Sequence, residues 1–283
     1  MQPWRWRHRR GTLHGVTGRP AIMAVINLTP DSFSDGGRFD SFDAAVSQAC
    51  VAAEEGAEII DLGAESTRPG APAVSEAEEL ERLLPVLRQL RRQTGALISI
   101  DTTKAAVAAA AAAEGADIIN DISGGLFDPK MLKVVRDTGL GFVAMHTTGR
   151  PSEMQQRAHY HSVTQEVAQA LCDRLQDAIN AGIPSDAVML DPGFGFGKLL
   201  HHNVELFAAL PELCRLPRPL LVGVSRKSML RAIAGIEREG LEHATTSAHV
   251  LATLAGAAVL RTHHVAAAVA MRRTLLHLQP QAE

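Results

Sequence analysis

Leu97–His146 reads LISIDTTKAAVAAAAAAEGADIINDISGGLFDPKMLKVVRDTGLGFVAMH, and its rhythm decides the fold. Three short apolar, β-branched runs, Leu97–Asp101, Asp117–Ile122 and Gly141–His146, are separated by two segments of helical character, Ala105–Glu114 and Pro129–Thr138. Runs that are apolar throughout fit parallel strands buried on both faces, and parallel neighbours need a crossover such as a helix. Gly115 and Gly139 stand where helix C-termini favour a residue free to take positive φ.

The same alternation extends in both directions. Strand-like runs precede it at Ala21–Asn27 and Ala57–Gly63 and follow it at Val188–Asp191, Leu220–Ser225 and Ala257–His263. Helical patterns fill the gaps at Phe42–Glu55, Glu76–Gln93, Val163–Ala181, Asn203–Leu210, Ser228–Ala234 with Thr245–Ala255, and Val265–Leu278. Eight strand–helix units predict an α/β fold, a single (β/α)8 TIM barrel over residues 21–283, rather than a doubly wound sheet. Residues 1–20 read as a short N-terminal β-strand extension packing on the barrel. Trp4 and Trp6 alternate there with Arg5 and Arg7, a strand pattern more than an anion-binding arm.

Composition narrows the function. A net charge of −3 offers no field for nucleic acid or an acidic membrane surface. The apolar run Ala105–Ala113 is far short of the roughly 20 residues that span a bilayer, and the basic start lacks the apolar core of a secretory signal. Cys50, Cys172 and Cys214 are odd in number and widely spaced, which indicates neither a disulfide framework nor a zinc cluster and fits a cytoplasmic setting.

Nearly every strand run ends in a polar residue: Asn27, Asp61, Asp101, Asn120, His146, Asp191, Ser225, and Arg261 with His263. In a barrel those C-terminal ends converge on one mouth, where catalytic groups sit. Asp191-Pro192-Gly193-Phe194-Gly195-Phe196-Gly197-Lys198 fits neither a dinucleotide fingerprint nor a phosphate-binding P-loop. It reads as a flexible turn that lets backbone approach a flat ligand, with Asp191 at its root. His201-His202 and His263-His264 lack chelating spacing. Long polar loops follow the first two strands, Asn27–Gly37 and Glu65–Gly70; Thr67 and Arg68 offer donors to an anion, and Asn27 a neutral oxygen suited to Mg²⁺ beside a phosphate.

Taken together these stretches resemble the dihydropteroate synthase family. The match runs in order through Asn27–Gly37, Asp61–Gly70, Ile100-Asp101-Thr102, Ile119-Asn120-Asp121, Met145-His146, Asp191–Lys198, Ser225-Arg226-Lys227-Ser228 and Arg261-Thr262-His263. Two departures are Thr147-Thr148, where the family often has Met or a Gln/Arg pair, and His264, where Asp is usual. The resemblance implies condensation of 6-hydroxymethyl-7,8-dihydropterin diphosphate with 4-aminobenzoate to 7,8-dihydropteroate and diphosphate. It implies Asp101, Lys227 and Arg261 as catalytic groups, and Thr67, Arg68, Asn120, Met145, Asp191, Phe196, Ser225, Thr262 and His263 as further substrate contacts. Asp191, Asn120 and Asp101 would hold the pterin's polar edge, with Lys227 on its acceptor side. Mg²⁺ on Asn27, with Arg68, Arg261 and His263, would draw off diphosphate. Phe33, Thr67, Pro69, Phe196 and Ser225 would shape the aminobenzoate pocket, where sulfonamides would compete. Glu65 reads as a structural partner within its own loop. A homodimer is the expected assembly. Two rivals are a methyltetrahydrofolate-binding methyltransferase-type barrel, which has no use for diphosphate-handling Arg68, Arg261 and His263, and a non-catalytic pterin-binding paralogue.

Overall fold

The computed structural model describes residues 1–29, 38–68, 70–236 and 240–278. Eight parallel strands form one sheet: β3 (Ala21–Asn27), β4 (Ile59–Gly63), β5 (Leu97–Asp101), β6 (Ile118–Asp121), β7 (Gly141–Met145), β8 (Val188–Asp191), β9 (Leu221–Val222) and β10 (Val259–Thr262). Their order β8-β7-β6-β5-β4-β3-β10-β9 leaves the β8–β9 seam, which a single parallel bridge, Leu190 to Leu220, draws shut. The ring is a nearly closed (β/α)8 barrel, as the alternation predicts. Around it lie α1 (Arg38–Glu54), α2 (Glu76–Gln93), α3 (Ala105–Ala113), α4 (Met131–Thr138), α5 (Val163–Asn180), α6 (Leu200–Ala208), α7 (Leu210–Leu213), α8 (Ser228–Ala234), α9 (Leu241–Ala255) and α10 (Val265–Leu278).

Side chains alternate across each strand, so sequences that look uniformly apolar carry two messages. Ile22, Ile60, Ile98, Ile100, Ile119, Phe142, Val188, Leu190 and Leu260 pack into the large core between barrel and helices. Met23, Ile59, Ile118, Val143, Met189, Leu221 and Val259 form a second cluster inside the barrel. Two residues further along four of these strands the same inward parity brings polar groups: Asp61, Asn120, Asp191 and Arg261. The barrel therefore has an apolar floor and a charged mouth.

The extension departs from the sequence reading. It is a hairpin, β1 (Pro3–His8) paired antiparallel with β2 (Gly11–Val16), rather than one strand. Gly15 is required because an added Cβ would lie 2.2 Å from the indole of Trp4. Trp6 is fully buried against the inner floor cluster and its Nε1–H donates to Ala187 O at 2.9 Å. Arg10 binds the buried Asp117 carboxylate at 2.6 Å, fastening the hairpin across the end opposite the mouth. Trp6→Phe should cost about 1–3 kcal/mol, by shrinking a filled site and unpairing a buried carbonyl. The expected readout is a lower urea midpoint at unchanged m-value.

Two other boundaries move for identifiable reasons. β9 is two residues long instead of Leu220–Ser225, because the chain leaves the ladder for a turn: Lys227 N–H donates to Val224 O, and Arg226 sits at φ 58°. The expected helix Asn203–Leu210 starts at Leu200, where His202 Nδ1 accepts from Leu199 N–H. It breaks at Ala209, after which Pro211 occupies the first turn of α7, the position proline tolerates.

Candidate active site

The mouth is built from strand ends one rung apart. Register pairs Gly63 with Asp101, Asp101 with Asn120, and Met145 with Asp191. The fully buried Asp61 carboxylate organises the centre. Its Oδ2 accepts from Arg261 Nε at 2.7 Å and from Asn120 Nδ2 at 3.0 Å. Arg261 reaches across with Nη2 to Asp101 Oδ2 at 3.0 Å. One guanidinium thus bridges two carboxylates, a geometry only a planar fork of donors supplies. Burial raises the Asp101 pKa, and the Arg261 charge opposes that rise. The sequence marks Asp61 as a strand end and as the head of a matched stretch, without assigning it a role. Its inward parity with Asp101, on the neighbouring strand, is the signal that could have marked it.

Two cavities open here. A large one of about 990 Å³ is lined by Asn27, Glu65, Thr67, Arg68, Asp101, Ser225, Lys227, Arg261 and His263, among others. A narrow cleft of about 20 Å³ is lined by Asn120, Met145, Asp191, Gly193, Phe196 and Lys227, together with Thr67, Asp101 and Arg261. Every described site residue inferred from sequence lines one or the other except Thr262. That residue faces the other side of β10, where its hydroxyl accepts from His264 N–H at 3.2 Å. Phe33 and Pro69 lie outside the described residues.

Charge is set by burial. Asp191 is pushed up to about 6 by burial, against the pull of a bond from Gly193 N–H (2.7 Å) and of the Lys227 charge. Burial, helped by neighbouring Arg261, brings Lys227 down to about 8. Its ammonium lies 4.4 Å from the centre of the Phe196 ring. His263 falls to about 3, through burial and the nearby charges of Arg261, Arg226, Lys227 and Arg68. Burial and those charges favour its neutral form, which offers a hydrogen bond. Its Nδ1 lies 3.0 Å from Ser225 Oγ, which also accepts from the His263 backbone N–H.

The loops are tied from behind. Glu65 is tied within its own loop, where its Oε1 accepts from Val74 N–H, and beyond it, where its Oε2 pairs with Lys104 after β5, which also binds the buried Glu79. The glycine-rich turn after β8 is held rather than flexible. Gln155 donates to Gly195 O, Tyr160 to Gly197 O, and the buried Lys198 to Gly193 O and Phe196 O. The Thr147-Thr148 departure belongs to the same contact. Thr148 Oγ1 would lie 1.8 Å from a Cβ added at Gly197, whose φ is 58°. At the other departure, His264 Nδ1 stands 3.7 Å from Glu242, which also pairs with Arg226.

A model of the pterin binding enzyme family matches residues 23–263. The mitochondrial folate synthesis bifunctional protein of Arabidopsis thaliana is 45% identical over 268 residues, covering 89% of this chain and 48% of that protein. The chain thus spans about half the length of that relative. The dihydropteroate synthase of Streptococcus pyogenes is 41% identical over 254 residues, 89% of this chain and 93% of its own. The dihydropteroate synthase of Xanthomonas albilineans, solved with 4-aminobenzoic acid, is 42% identical with a TM-score of 0.86, covering 95% of this chain and 96% of that one. In complex with 7,8-dihydropteroate it superposes at a TM-score of 0.84 with 39% identity, over 94% and 97% of the two chains. By fold, by the matched span and by these relatives, the chain belongs to the pterin-binding enzymes, in the dihydropteroate synthase family.

Proposed function

We propose that this chain condenses 6-hydroxymethyl-7,8-dihydropterin diphosphate with 4-aminobenzoate, giving 7,8-dihydropteroate and diphosphate. One observation carries the reading: the narrow polar cleft and the large basic cavity share Thr67, Asp101, Lys227 and Arg261. The cleft as it stands has room for about one water, so a flat heterocycle would enter it as its walls part, presenting its exocyclic methylene at that junction, with its diphosphate in the basic cavity. Asp191 would accept paired N–H donors from the pterin edge, with Asn120 beside it, and Lys227 would donate to ring acceptors.

The step breaks the methylene C–O bond, diphosphate leaving with the electron pair. The amine lone pair then forms the C–N bond, and its extra proton passes to diphosphate or water. Asp101 at the junction opposes positive charge developing on the methylene, a preorganised field that needs no movement. Arg261 and Arg68 receive the leaving group, and neutral His263 adds a donor.

Mg²⁺ belongs to the same proposal. Asn27 Oδ1 and Asp101 Oδ2 flank Gly63, each within 4 Å of where a Cβ would stand. Among the described residues no group of three or more His, Cys, Asp or Glu could cage a metal. A sparse oxygen set fits Mg²⁺, which keeps most of its shell as water and substrate phosphate. When bound it would neutralise diphosphate charge, with Asn27 as its protein ligand. For assembly, exposed Leu251 and Leu254 on α9 support a homodimer. Among the described residues no helix is long and apolar enough to cross a membrane; a cytoplasmic site of action fits the three free cysteines.

The test is diphosphate release by purified protein given both substrates and Mg²⁺, with each omitted in turn. Stoichiometric dihydropteroate is the expected result. Pterin binding without release would leave a non-catalytic pterin-binding protein in its place.

A further inference from the structure

Lys198 is 3% exposed, and nothing in the proposed reaction requires it. Its ammonium has three acceptors near 3 Å, His146 Nδ1 at 2.9 Å, Gly193 O at 3.0 Å and Phe196 O at 3.0 Å, with His146 O at a longer 3.5 Å. A lysine has three protons to give, so the group is saturated and has none left for a ligand. Because Lys198 donates to Nδ1, the neutral His146 ring carries its proton on Nε2. His146 directly follows β7, next to β8, so the ammonium ties the end of one unit to the loop of the next.

That loop serves both sides of the pterin cleft. Gly193 N–H donates to Asp191 Oδ1, while Phe196 places its ring against Lys227. The carbonyls of these same two residues are the ones Lys198 holds. Glycines at 193, 195 and 197, with φ of 67°, 81° and 58°, let the chain curl tightly enough for a nearby lysine to reach both. Gly193 tolerates no side chain, since a Cβ would lie 2.1 Å from His146 O.

We propose that Lys198 is a positioning residue for pterin binding: its buried ammonium, shared between His146 and the carbonyls of Gly193 and Phe196, sets the loop that orients Asp191 and Phe196. This rests on reading the cleft as the pterin site. Burial brings Lys198 down to about 7, with Asp191 acting to raise it and Lys227 to lower it further. The facing groups are His146 from β7, Asp191 from β8, Lys227 from the turn before α8, and the loop carbonyls. A neutral amine could keep all three contacts only if His146 moved its proton to Nδ1 and donated it to the amine.

The experiment uses Lys198→Met and Lys198→Ala in the full-length protein. Three quantities are read: affinity for a pterin lacking diphosphate by calorimetry, KM for aminobenzoate at saturating pterin, and amide hydrogen exchange across residues 193–197. The expected result is pterin affinity lowered roughly 10- to 100-fold, the scale of one or two orphaned buried acceptors. Exchange at residues 193–197 should speed up, and KM for aminobenzoate should rise by less than pterin affinity falls, because of the two residues Lys198 orients only Phe196 also borders the aminobenzoate pocket. n-Propylamine, and not n-propanol, should restore part of the pterin affinity to Lys198→Ala. Unchanged affinity in a folded Lys198→Met protein overturns the proposal. So does a loss that falls equally on aminobenzoate and ignores the amine, which marks a general structural role. If Lys198→Met does not fold, amine rescue in Lys198→Ala decides alone. If wild-type protein binds no pterin, the site reading fails; altered exchange in the variant then still reports whether Lys198 holds the loop.

Discussion

Asp61→Ala should lower kcat/KM by roughly 10²- to 10³-fold, the scale expected when catalytic groups lose their orientation. Its carboxylate is fully buried beneath the mouth, and its Oδ2 is the common acceptor for Arg261 and Asn120. Without it the guanidinium keeps only its Nη2 contact to Asp101 and loses the bond that fixes its Nε edge. Asn120 loses the bond that fixes its amide. Removing one partner of a buried ion pair is costly; because Asp101 remains on the same guanidinium, about 3 kcal/mol is expected. For a chain of this size that is a fall in Tm of roughly 6–12 °C. Asp61→Asn separates position from charge. An amide oxygen in place of Oδ2 can accept both bonds, so this variant should keep activity within about tenfold of wild type. A folded Asp61→Ala enzyme with near-normal kcat/KM would show that Arg261 and Asn120 hold their places unaided.

The dependence on Asp61 shows what was legible in the sequence and what was not. The barrel could be read because burial on both faces, helical crossovers and glycine stops leave local marks, clearest in Leu97–His146. The charged mouth could be read because parallel strands in a barrel end together, whatever their sequence separation. Asp61 escaped because its role is a contact with Arg261, 200 positions away, and only the inward parity of two strands reveals it. Lys198 escaped likewise: its glycine-rich setting suggested freedom, whereas His146, 52 positions earlier, supplies the acceptor that helps hold the turn. The hairpin partner Gly11–Val16 has too little alternation to stand out; it is specified by Trp4 lying over Gly15. Thr262 was carried in by a motif match, and strand alternation takes it out again.

Asp191→Asn should lower pterin affinity by about 2–5 kcal/mol, or roughly 30- to several-thousand-fold, the range for truncating one side of a buried charged hydrogen-bond pair. The physical reason is donor matching. A carboxylate offers two acceptor oxygens to the pterin's paired N–H groups, while an amide offers one acceptor and one clashing donor. The Gly193 bond survives, since an amide oxygen can still accept it, so the loop need not move. Protonation has the same effect on wild type. With Asp191 raised to about 6, pterin affinity should weaken as pH falls through that value, and Asp191→Asn should lose this acid limb. Stability should run the other way. The folded chain holds the Asp191 proton more tightly than the unfolded chain does, so this group's stabilising contribution is complete below its ordinary value of 3.8 and is lost as pH rises through about 6. Near pH 8 the wild-type protein keeps a buried carboxylate at a cost, and Asp191→Asn removes that cost. The variant should therefore unfold at an equal or higher temperature than wild type at pH 8, the difference vanishing toward about pH 4. A variant that loses both pterin binding and stability at pH 8 would identify Asp191 as part of the scaffold. Lost binding with stability retained or gained identifies a carboxylate kept for the ligand.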